Sequence, residues 1–143
     1  MKKQLKTIAV ILALVIGAGA SVAKAQIMER LKGEIPFSFY VRDMKLPAGA
    51  YTITVLNPGS GLMEIRSDDG KSAALFLTIE KQEKDTWAPS ELIFHKYGEK
   101  VFLSEIVEQG ERDEAEVLKS KMEKRLERAA FSDKEVAIAL RLE

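Results

Sequence analysis

Apolar residues fall on alternate positions over several short runs of this chain. In "GEIPFSFYV" Ile35, Phe37, Phe39 and Val41 share one face, and in "AYTITVL" Tyr51, Ile53 and Val55 stand against Thr52 and Thr54. A period of two is the mark of a β-strand with one buried face. "LPAG" (Leu46 to Gly49) separates these two runs as a turn, with Pro47 fixing φ and Gly49 free to take positive φ. "NPGSG" (Asn57 to Gly61) is a second turn. "LMEIRS" and "KSAALFLTIE" follow, joined through Asp69-Gly70, a strong hairpin signal because primed turns need positive φ. Asp68 and Asp69 lack the repeated oxygen ligands of a calcium loop.

"KQEKDTWAPS" (Lys81 to Ser90) reads as a longer loop in which Trp87 anchors the loop to the body or lines a ligand site. The next run, "ELIFHKYGEKVFLSEI", reads as a hairpin turning at Gly98 and Glu99. That turn places Phe94 opposite Leu103 and His95 opposite Phe102. One face then holds Leu92, Phe94, Val101 and Leu103, and the other Ile93, His95, Tyr97, Phe102 and Ile106. Two apolar faces predict a hairpin covered on both sides, at the centre of the core.

The period changes between Asp113 and Ala130. Ala115, Leu118, Met122, Leu126 and Ala129 recur at steps of three or four, which predicts an amphipathic helix over this whole stretch. Glu116, Lys119 and Glu123 are spaced for ion pairs along it. Asp113 and Glu114 suit the N-terminal end of its dipole, and Arg125 and Arg128 the C-terminal end. "SDKEVAIALRLE" returns to alternation with Val136, Ile138, Leu140 and Leu142. It makes a seventh candidate strand, placed to cover the edge left by the first, which would otherwise be open to aggregation. The fold class is mainly β: one antiparallel meander closing into a small barrel or sandwich, with one amphipathic helix near the C-terminus.

The N-terminus adds a compartment. Lys2, Lys3 and Lys6 precede an unbroken apolar run from Ile8 to Ile16, and Ala23-Lys24-Ala25 carries small residues where a signal peptidase requires them. This is the layout of a cleavable secretory signal, with the cut between Ala25 and Gln26. The apolar run is short for a membrane span, and with no cysteine in the chain there is no lipid-bearing residue. Residues 1–25 are then the signal, and residues 26–143 form a single exported β domain, periplasmic or secreted, with no span after cleavage. The signal takes four of the 22 basic residues and no acid, which leaves 18 against 22, a net charge of −4. A mildly acidic chain without a basic cluster is a poor partner for nucleic acid. Few strands without an outward apolar band argue against an outer-membrane barrel.

Catalytic groups are sparse. His95 is the only histidine, so a zinc site of three protein ligands falls short. Ser104 shares a face with His95 but lies diagonally from it, roughly 7–8 Å away at Cα, and no G-x-S-x-G elbow occurs. The acids Glu105, Glu108, Glu111, Asp113, Glu114 and Glu116 read as a solvated loop entering the helix. No catalytic residue, cofactor or metal is expected. His95 is expected to pack beside Phe102 and bond a neighbouring strand. His95, Tyr97 and Trp87 remain the candidate ligand or partner contacts.

"IPFSFYV", "LPAGAYTI", "IRSDDGKSAALF", "LIFHKYGEKVFLSEI" and "LKSKMEKRLERA" occur in that order. Together they resemble a family of small exported proteins found in many copies in Acidobacteria and related soil bacteria, over roughly Gly33 to Ala130. The resemblance implies export and this architecture, places His95, Tyr97 and Gly98 inside a shared motif, and brings no established activity. The chain departs from the family pattern after Leu103, where Glu105-Ile106-Val107 lacks an expected aromatic. Two functions follow as expectations. One is a non-enzymatic interaction or structural module of the cell envelope, whose partner is an unknown envelope protein. The other is a carrier of a small apolar ligand in a barrel cavity. A filled core with an apolar surface patch favours the first, and an internal cavity the second.

Overall fold

The computed structural model describes residues 30–82, 87–110, 113–129 and 133–142. The expected signal, its cleavage point and residues 83–86 of the Lys81–Ser90 loop lie outside them. Eleven strands form one sheet. They are β1 (Arg30–Ile35), β2 (Phe39–Val41), β3 (Met44–Leu46), β4 (Gly49–Asn57), β5 (Leu62–Ser67), β6 (Ala73–Gln82), β7 (Glu91–Tyr97), β8 (Lys100–Val107), β9 (Asp113–Val117), β10 (Asp133–Ala139) and β11 (Arg141–Leu142). A single helix among the described residues, α1, spans Lys121–Arg128. The strands run side by side in the order β10-β7-β8-β9-β6-β5-β4-β1-β11, with the β2–β3 hairpin set against β8.

Strands lie in each of the seven expected runs, but β3 and β9 were not among them and several ends differ. The first expected run is divided at Pro36–Ser38, yet Ile35, Phe39 and Val41 are still buried together and Phe37 packs against them. Arg42 turns β2 into β3 at φ 55°, a left-handed value unusual for a residue with a side chain. Gly49, which opens β4, takes a positive φ of 158°, as expected. Asn57 caps a short 3-10 turn over Pro58–Ser60, its Oδ1 accepting from the Ser60 amide at 3.2 Å. Asp69 holds the β5–β6 turn: its Oδ1 accepts from Ser67 Oγ at 2.6 Å and from the Lys71 amide at 2.9 Å, while Gly70 sits at φ 73°. These bonds hold the Asp69 carboxyl below its ordinary range.

The expected helix over Asp113–Ala130 is corrected. Its first part is β9, which pairs with β6 and with the second half of β8. Ala115 and Val117 face the core there, so the alternate pair wins over the three-and-four spacing that also includes Ala115. The helix begins only after Ser120. Lys119 therefore lies outside it, where it pairs with Glu127 at 2.7 Å.

The core contains Leu31, Ile35, Phe39, Tyr51, Ile53, Ile65, Phe76, Leu92, Phe94 and Leu103, drawn from strands on both sides of β6. Aromatic rings occupy its middle. Phe39 meets Tyr51 at 5.2 Å and Phe94 at 5.5 Å between centroids, and Phe37 meets Phe94 at 5.2 Å, all edge to face. That arrangement suits the quadrupole of each ring. Tyr51 also donates its hydroxyl to the Pro47 carbonyl at 2.6 Å, so the buried phenol is satisfied.

The final segment pairs twice. β10 lies antiparallel to β7 and β11 antiparallel to β1, so the expected return to the first strand is made by Arg141–Leu142 alone. Leu140 marks the change of neighbour. Its amide donates to the Ser90 carbonyl at 2.8 Å, and its side chain fills the space a Cβ on Gly33 would need.

Candidate functional site

The β7–β8 hairpin turns where expected: Phe94 pairs with Leu103, His95 with Phe102 and Tyr97 with Lys100. The register shifts between Ile93, which faces Glu105, and Phe94. Ser104 is the extra residue, a β-bulge that adds one position to β8. It has two effects. Past the bulge the sides of β8 exchange, so Ile106 enters the main core and does not share the outward face with His95 as expected. Ser104 also stays on the outward side beside His95, its Oγ 3.4 Å from Nε2.

This outward face is roofed into a second, smaller core. Tyr40 from β2 stacks on Phe102 at 5.1 Å, and Tyr97 meets the same ring edge-on at 5.9 Å. Helix α1 brings Ser120 and Glu123 over them. Ser120 Oγ accepts from the Glu123 amide at 3.1 Å, and the Tyr97 hydroxyl donates to Glu123 Oε1 at 3.4 Å. Phe102, Tyr97, Ser104, Ser120 and Glu123 are all buried. The sequence carries the signal for this helix start as Ser120-x-x-Glu123, a capping box, and helical periodicity alone overlooked it.

His95 is therefore half-buried between strands, with its ring 6.4 Å from Tyr97. Glu135 on β10 is its direct cross-strand neighbour. A serine and a histidine in contact are the residue types of a nucleophile and its base; here the Ser104 side chain is buried. Of the three expected contact residues, the fold joins His95 and Tyr97. Trp87 enters β7 from its other end and is 83% exposed, so it does not anchor its loop by burial.

A charged cluster lies further along the outward side, where β6, β9 and β8 adjoin. Lys81 Nζ is 2.7 Å from Glu105 Oε1 and 4.0 Å from Glu114 Oε2. Burial pushes the Glu105 carboxyl up, but hydrogen bonds from Lys81 and from Glu114, with the nearby positive charge, outweigh it and the net direction is down. Glu105, Glu114 and Glu116 thus stand in strands β8 and β9 and not in the solvated loop expected of them, while Glu111 lies outside the described residues. Among the described residues no group of three histidine, cysteine or acidic side chains is arranged to hold a metal.

Two further surfaces lie on the outward side of β1, β4, β5 and β6. The first is an open polar groove of about 470 Å³, with Arg30, Lys32, Thr52, Thr54, Glu64 and Arg66 in its walls. Arg66 forms a forked pair with Glu64, at 2.7 and 3.1 Å. The second is a strip on β6. Leu75, Leu77 and Ile79 point outward and are 63%, 45% and 50% exposed, while Phe76 and Thr78 between them, and Ala74 before them, are buried. An antiparallel strand with one solvated face ordinarily alternates apolar with polar. Here both parities are apolar, and Leu56 on β4 and Leu62, opposite Leu77, widen the strip. No family model, curated protein or solved structure matches the chain.

Proposed function

We propose that this chain is a non-enzymatic interaction or structural module of the bacterial cell envelope, exported and cut between Ala25 and Gln26. The observation that carries the reading is the outward strip Leu75, Leu77 and Ile79 beside an interior occupied by touching aromatic rings. Apolar side chains held in water on a strand that also feeds the core are the feature of a contact surface. The ring contacts among Phe37, Phe39, Tyr51 and Phe94 take up the space an apolar ligand would need. In this reading the sheet curls into a small barrel-like form, with β10 and β11 as one bent strand serving both of its ends. The lysine-led apolar leader and the ordered motifs shared with small exported acidobacterial proteins support the envelope as the setting.

The test is expression of the whole chain in a bacterial host, followed by fractionation and native mass spectrometry of the product. A periplasmic protein beginning at Gln26, with the mass of the bare chain or of a protein assembly, is the expected result. A product retained at full length in the cytoplasm overturns the export reading. A small apolar molecule released on denaturation overturns the interaction reading in favour of a carrier.

A further inference from the structure

The two ends of the β6 strip carry opposite charge. Arg66 lies beside Ala73, four residues before Leu77, and Lys32 and Arg30 continue away from β6 in the rows Lys32–Thr52–Arg66 and Arg30–Thr54–Glu64. Glu114 lies beside Lys81, four residues after Leu77, and Glu116 lies between Ile79 and Glu105. Glu64 and Asp68 stand among the cations, and Lys81 among the carboxylates. The first corner thus has three cations to two acids and is one charge positive. The second has, among the described residues, three acids to one lysine and is net negative.

The corners are diagonal to each other. The cations sit on the β5 side of β6, before Leu77; the acids sit on the β9 side, after it. A two-fold axis running obliquely across the strip near Leu77 exchanges them. That operation places one copy's strip across the other's, with Arg66 of each copy over Glu105 and Glu116 of its mate. Strands of the two copies then cross steeply, one of the two common ways for sheets to pack face to face. A two-fold interface must match its own surface, and this one does so in both apolar and charged parts.

We propose that the outward face of β6 is the contact between two copies of this chain. The proposal deepens the interaction reading and rests on it for the choice of the strip as a contact surface. The apolar strip supplies the dry centre, and the charged corners supply a polar rim that fixes orientation.

The experiment uses protein exported and processed by a host carrying the whole chain. Sedimentation velocity follows wild type, Leu77→Lys, Arg66→Glu and Glu116→Lys from dilute to concentrated solution. Leu77, Arg66 and Glu116 are not buried, so circular dichroism should match wild type throughout. Wild type is expected to double in mass on concentration, and Leu77→Lys to raise the dimer Kd by more than about tenfold. Each charge reversal alone weakens the dimer. An equimolar mixture of Arg66→Glu with Glu116→Lys restores it, because each reversed corner then meets its complement. A wild type that stays monomeric overturns the proposal and leaves the envelope module with a different protein partner, visible as a hetero-assembly in the native mass. A dimer indifferent to Leu77→Lys, or mixed reversals that fail to recover, likewise overturns it.

Discussion

The Ser104 hydroxyl lies 3.4 Å from Nε2 of His95 because β8 carries one residue more than β7. The contact is a product of the bulge, and its energetic role is that of a local hydrogen bond. Ser104→Ala should cost only about 1 kcal/mol in urea unfolding, and His95→Gln a similar amount. Deleting Ser104 is a different change. It removes the bulge and leaves Leu103 opposite Phe94, Glu105 opposite Ile93 and Ile106 opposite Leu92, each on its present face, so the protein should still fold cooperatively. If the deletion protein fails to fold cooperatively, the assignment of the bulge is wrong.

Gly61 and Gly98 share a left-handed backbone, with φ of 67° and 62°. Their surroundings differ. A Cβ on Gly61 would stand 2.3 Å from the Thr78 carbonyl oxygen, a ladder atom that cannot move away, whereas a Cβ on Gly98 meets nothing within 4 Å. Gly98→Ala should therefore cost about 1 kcal/mol, the conformational penalty alone. Gly61→Ala should cost clearly more, upwards of ~2 kcal/mol. Thermal melts of the two variants side by side measure the difference.

Helix α1 has one buried cap and one buried carboxylate. Ser120→Ala removes the acceptor for the Glu123 amide and should destabilise by about 1–2 kcal/mol. Ser120→Asp, which can also cap, should recover less than usual, because the position is wholly buried. Glu123→Gln keeps an oxygen for the Tyr97 hydroxyl and should be milder than Glu123→Ala. Denaturant midpoints for the four variants, with far-ultraviolet circular dichroism for helix content, decide the order.

The Lys81–Glu105 pair predicts a pH dependence. Glu105 is held below the ordinary glutamate value of 4.5 in the folded chain. A carboxyl lowered on folding contributes stability that is present above the unfolded value and is lost as pH falls through the folded one. Wild type should therefore weaken below about pH 4.5. Lys81→Met removes the main partner, so less stability is left to lose and the acid limb of the curve should flatten. Urea midpoints measured across the acid range would show the same slope in both proteins if the pair contributes nothing.

The hairpin at Gly98 and the turns at Asn57–Gly61 and Asp69–Gly70 were legible because turn residues at those points leave one conformation much cheaper than the others. The stretch Asp113–Val117 was not, because Ala115 belongs to both periods: with Val117 it alternates, and with Leu118 and Met122 it steps like a helix. Only the edges left open by β6 and β8 decide between them, and those edges exist in three dimensions alone. His95 and Tyr97 could be paired from the hairpin register. Their cover by Tyr40 and Glu123 could not, since those residues arrive from segments far apart in the chain. Ser104 as a bulge left no trace in the pattern, because a serine between Leu103 and Glu105 fits either count. The β6 strip was visible as Leu75, Leu77 and Ile79, but nothing in the sequence says which parity faces inward when both are apolar.

The last ten described residues, 133–142, complete both ends of the sheet, since β10 pairs with β7 and β11 with β1. Leu31 waits for Leu142, almost the whole length of the domain away. During synthesis the earlier strands emerge first and still carry two raw edges. Pairing them waits for residues 133–142. Strand order thus acts as a delay: the two outermost pairings, β7 with β10 and β1 with β11, form only once residues 133–142 have been made.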